Sequence, residues 1–62
     1  MTNHEKAITK AYETIDRMIE LGFTTKEIAG VVTGIKRGFE IAEFLNKNEL
    51  RDFDAKCKER MI

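Results

Sequence analysis

Sixty-two residues allow one small domain, residues 1–62; a chain this short buries a modest share of its surface and draws added stability from crosslinks, metals or partners. One cysteine, Cys57, excludes an internal disulfide, and Cys57 and His4 together fall short of a structural zinc site's ligand set. Eleven basic residues balance eleven acidic ones, so no net field draws the chain to nucleic acid or an anionic bilayer, and no apolar run is long enough to span one.

What composition leaves is self-association. A lone cysteine and the lack of an export signal point to a reducing cytoplasm.

The first predicted helix runs from about Asn3 to Leu21. Ala7, Ile8, Ala11, Tyr12, Ile15, Met18 and Ile19 recur at three- and four-residue spacing and gather on one face. Thr2 or Asn3 suits the N-cap, and Glu5 lies near the positive end of the helix dipole. Glu13 and Arg17 are spaced to pair on the outer face. Gly22 suits the left-handed position that ends a helix.

The second predicted helix opens at Thr24, with Glu27 three residues on as the partner in a capping box. Phe23 is placed to pack on Ile28 as a hydrophobic staple. From there to Leu45 the pattern has two sides. Ile28, Val31, Val32, Ile35, Phe39 and Ala42 form a stripe that should meet the first helix. Gly30, Gly34, Ile41 and Leu45 fall on the other side, with Gly38 and Phe44 at its rim. A helix apolar on two sides is buried on two sides, and the first helix can cover only one.

Asn46 and Glu49 repeat the capping arrangement, with Leu45 and Leu50 placed as a staple, so the chain breaks near Asn46–Asn48. A third, shorter helix follows over about Lys47 to Arg60. Its apolar stripe is Leu50, Phe53, Cys57 and Met61. Asp52–Lys56 and Asp54–Lys58 have the favourable acid-before-base order. Lys56, Lys58 and Arg60 suit the negative end of the dipole.

The glycines admit three readings. In a continuous helix each interior glycine costs about 1 kcal/mol against alanine, so three cost about 3, and close contact with another backbone is one offset. That reading predicts a self-association face of Gly30, Gly34, Gly38, Ile41 and Leu45. Alternatively, a turn near Thr33-Gly34 splits the segment. Thr24-Thr-Lys-Glu-Ile-Ala29 opens a stretch that resembles a helix-turn-helix, and the resemblance implies DNA contact through Lys36 and Arg37. Against it, the expected turn glycine is Thr33, and Glu40 and Glu43 would face phosphates. Third, Gly30 to Gly38 could cradle a small nucleotide-like anion at a subunit junction with Lys36 or Arg37; the spacing matches no phosphate-loop motif.

Other chemistry-bearing residues have plainer explanations. His4 is expected as an exposed first-turn residue. Cys57 sits on an apolar stripe and reads as a small buried hydrophobe, although Lys56 and Lys58 would favour its thiolate. The pairs Asp16/Glu20, Glu40/Glu43 and Asp52/Asp54 read as solvated helix faces rather than an acid–base dyad, which needs a shielded cleft. The sequence therefore predicts an all-α fold, a helical hairpin plus a third helix, assembled as a symmetric homodimer. It predicts no catalytic residues, no metal and no cofactor. The expected function is a non-enzymatic cytoplasmic binding module, a regulator or inhibitor with a protein partner. Helix-turn-helix DNA binding and an anion trap are the alternatives.

Overall fold

Three capped starts divide the chain. The computed structural model describes residues 2–61, and its elements are α1 (Asn3–Glu20), α2 (Thr25–Ile41) and α3 (Lys47–Met61), with no strand among the described residues. At α1 the Thr2 hydroxyl accepts the Glu5 N–H at 3.1 Å. At α2 the box closes both ways: Thr24 Oγ1 accepts the Glu27 N–H at 3.2 Å, and Glu27 Oε1 accepts the Thr24 N–H at 2.9 Å. Asn46 and Glu49 do the same for α3, at 2.8 and 3.0 Å. Each box satisfies amide donors that a helix start leaves without partners.

The two turns share one geometry built from different residues. After α1, Gly22 takes φ 84°, and the Phe23 N–H donates to the Met18 carbonyl at 3.1 Å. After α2, Glu43 takes φ 53°, and the Phe44 N–H donates to the Phe39 carbonyl at 2.8 Å. Both are six-to-one closures that use up orphan carbonyls, and the left-handed residue normally is glycine. Because Glu43 fills that role, α2 stops at Ile41 rather than continuing to Leu45. Ala42, expected on the inner stripe, is instead the exposed C-cap.

Ion pairs give the relative directions. His4 Nε2 lies 3.3 Å from Glu49 Oε2, and Asp16 meets Arg60 at 3.1 Å, so α1 and α3 run the same way. Lys36 meets Asp54 at 3.1 Å, with α2 running opposite to α3. All three helices pack on one another.

The core draws on every element: Ala11 and Ile15 from α1, Ile28 and Val32 from α2, Phe53 and Cys57 from α3. Leu45, from the second turn, completes it at 5% exposure. Aromatic rings extend the core toward one end. Phe39 stacks on Phe44 at 5.2 Å and meets Phe53 edge-on at 5.6 Å; Tyr12 stacks on Phe53 at 5.3 Å, with the Arg60 guanidinium 4.2 Å from the centre of the Tyr12 ring. The burial of Phe44 and Leu45 corrects their expected place on the outer side of α2.

Candidate functional site

The side of α2 turned away from α1 and α3 has almost no side chains. Gly30, Gly34 and Gly38 are all exposed there, and a Cβ added at any of them would meet nothing within 4 Å. Ile41 ends the stripe at 83% exposure, the most exposed large apolar residue described. Exposed Arg37 lies between Gly34 and Gly38, and Thr33 turns its hydroxyl back to the Ala29 carbonyl at 2.9 Å. The surface is a strip of bare helix backbone with exposed Arg37 beside it and Ile41 at its end.

Four of the five residues expected on a self-association face are thus on one open surface: Gly30, Gly34, Gly38 and Ile41. Leu45 is not. It lies beyond the helix end and packs inside its own molecule. Its spacing matched the stripe only on the premise that the helix ran four residues further.

The helix runs unbroken through Thr33-Gly34. This removes the turn that the helix-turn-helix resemblance requires, because interior backbone hydrogen bonding continues where the motif would bend. It also removes the loop required by a phosphate cradle. Lys36 and Arg37 diverge by about 100° around the axis. Half-buried Lys36 is tied to Asp54 across α3, while Arg37 faces outward, so the two do not converge on one anion.

Several other titratable groups have partners within the fold. Cys57 is fully buried, and burial pushes its thiol from 9.0 up to about 11, outweighing the lowering effect of Arg60. It is protonated at neutral pH and lacks the thiolate a nucleophile needs. The Asp54 carboxyl is held below its usual range, first by the hydrogen bond from Lys58 and then by Lys36. Asp52 pairs with Lys56 at 2.9 Å and Asp54 with Lys58 at 3.0 Å, as the sequence order predicts. His4 differs from expectation. Its ring packs 4.6 Å from Phe44, and Nε2 is shielded beside Glu49. Among the described residues no three His, Cys, Asp or Glu side chains are grouped to hold a metal, and no helix is long and apolar enough to cross a membrane.

Two surface features were not anticipated. Leu21, Phe23 and Ile19 leave an apolar corner at the first turn, at 65, 43 and 39% exposure. Phe23, expected to staple onto Ile28, is among them. The second is a cleft of about 750 Å³ between the C-terminal half of α2, the second turn and the start of α3. Its charged walls recur at helical spacing in the sequence, but their pairing depends on where α2 ends, which the sequence reading set four residues late.

The chain matches no protein-family model, no curated protein and no solved structure.

Proposed function

We propose that the chain is a small non-enzymatic binding module that works as a homodimer, with the outward face of α2 as the contact between copies. The observation that supports this is the open stripe of Gly30, Gly34 and Gly38 with Ile41 at its end. A domain of this length has a total stability of about 3–9 kcal/mol, and three interior glycines lower it by about 3. Within one copy no contact offsets that loss. A second backbone laid against the stripe offsets it through close packing, and Ile41 supplies apolar area at the edge. A two-fold arrangement satisfies both copies with the same patch.

The biochemical role that follows is regulation or inhibition by contact with another macromolecule. A free, buried thiol suits a reducing compartment, so we assign the cytoplasm.

Light scattering after size exclusion tests the dimer. The expected result is a two-chain mass at micromolar concentration, reduced to one chain by Gly34→Leu with the helical circular dichroism retained. A wild-type chain that stays single up to millimolar concentration overturns the reading.

A further inference from the structure

The cleft between α2 and α3 leaves opposite charges facing each other without joining them. One wall is Lys36, Glu40 and Glu43, spaced four and three residues apart along the end of α2 and its turn. The other is Lys47, Arg51 and Asp54, with the same spacing along the start of α3. The helices run in opposite senses, so the columns meet head to tail. The first rung is closed, with Lys36 Nζ 3.1 Å from Asp54 Oδ1. The same register sets Glu40 across from Arg51 and Glu43 across from Lys47. Neither of those rungs is made, and none of the four charges has an ion-pair partner among the described residues. Leu45 and Leu50 lie between the walls.

The result is a trough bounded by the Lys36–Asp54 pair at one end and the second turn at the other, with an acidic wall, a basic wall and half-buried Leu50, beside core Leu45, at its base. We propose that it docks one amphipathic helix of a partner protein: an apolar ridge on Leu50, basic residues along the edge facing Glu40 and Glu43, and acidic residues along the edge facing Lys47 and Arg51. Helix-in-groove recognition uses an apolar face for affinity and flanking charges for register and partner choice. The open stretch of wall, Lys47 to Arg51 on α3, spans about 6 Å, or a little over one helical turn of the occupant. A second copy of this chain is a poor occupant, because its outward α2 face offers glycines and one isoleucine rather than a ridge. Lys36 and Glu40 also lie more than about 100° around α2 from Gly34, so copies joined at the glycines leave the trough open. The inference therefore stands whether or not the dimer forms.

The test uses the full ¹⁵N-labelled chain and three fourteen-residue helical peptides. All carry a leucine ridge; their flanks are lysine on one edge and glutamate on the other, glutamate on both, or lysine on both. The mixed peptide should shift the amides of Leu45, Lys47, Leu50 and Arg51, and bind about fivefold tighter than either uniform peptide, the size expected from two exposed charge pairs. Glu40→Lys with Glu43→Lys makes both walls basic and should transfer the preference to the all-glutamate peptide. Lys47→Glu with Arg51→Glu makes both acidic and should transfer it to the all-lysine peptide. All four side chains are exposed, and circular dichroism confirms the fold of each variant. Three results overturn the proposal: no shifts in the trough at millimolar mixed peptide, equal binding of all three peptides, or a preference that neither variant changes.

Discussion

The two sides of α2 follow opposite rules within one helix. Toward the core, Ile28 and Val32 are each 3% exposed, with Ile35 and Phe39 packed around them. Away from it, Gly30, Gly34 and Gly38 expose backbone to solvent. The inward side accounts for why the helix exists in this molecule. Caps and burial hold it there despite three residues that disfavour helix. The outward glycines meet nothing within a single copy, and the proposed dimer would give their spacing a use.

Removing apolar volume from the inward side should have the largest effect. Ile28→Ala is expected to lower stability by about 2–5 kcal/mol, a large share of the domain's total. Urea denaturation followed by circular dichroism measures it, and a loss under about 1 kcal/mol would mean that the inward stripe does not hold the helix. The core's response to pH comes next. Cys57 is held near 11 by burial and returns to 9.0 when the chain unfolds. The unfolded chain then releases its proton first, so stability is complete below pH 9 and falls as pH rises toward 11. Two pKa units correspond to about 2.7 kcal/mol. Urea midpoints at pH 8 and pH 10.5 should differ in this direction, and Cys57→Ala should flatten the difference. An unchanged alkaline slope in that variant would place its cause elsewhere, with Tyr12, also raised by burial, next to test.

Much of this architecture was legible from short-range chemistry. The boxes at Thr24/Glu27 and Asn46/Glu49 and the turn at Gly22 are local signals, and each lies where local rules put it. The inner stripe was legible too, because period 3.6 survives any error at the ends. What failed was the end of α2. No glycine or proline marks it; Glu43 takes a left-handed conformation that side chains disfavour, and tertiary packing of Phe44 and Leu45 supplies the compensation. That single error misplaced Leu45 in the expected contact face and hid the register of the α2/α3 trough. Of the candidate face, the three glycines and Ile41 were readable, since helix geometry alone puts them together. Whether anything covers them depends on a second molecule, and no residue of one chain records it.

The glycines give the comparison a sign. On an open face, Gly30→Ala and Gly34→Ala together should raise the stability of the single copy by about 2 kcal/mol. In a close dimer the added methyl groups force the backbones apart. The double variant should then melt higher than wild type at nanomolar concentration and lose the concentration dependence that wild type shows. A wild-type melting temperature independent of concentration, raised by the substitutions at every dilution, would make the outward face an unused surface.

The smallest expected effect bears on the same distribution of glycines. α2 has glycine at three places where helix geometry disfavours it and glutamate at the one place where the backbone favours glycine. At φ 53° a side chain costs about 1–2 kcal/mol, part of which glycine gives back through its greater freedom in the unfolded chain. Glu43→Gly should therefore stabilise the fold by about 0.5–1 kcal/mol. It also removes one carboxylate from the trough, so the mixed-flank peptide should bind it more weakly even as the domain gains stability. Stability rising while binding falls would mark Glu43 as a residue whose side chain serves the trough rather than the fold. If both rise, the strain at this turn has no counterpart in binding, and the acidic wall reduces to Glu40.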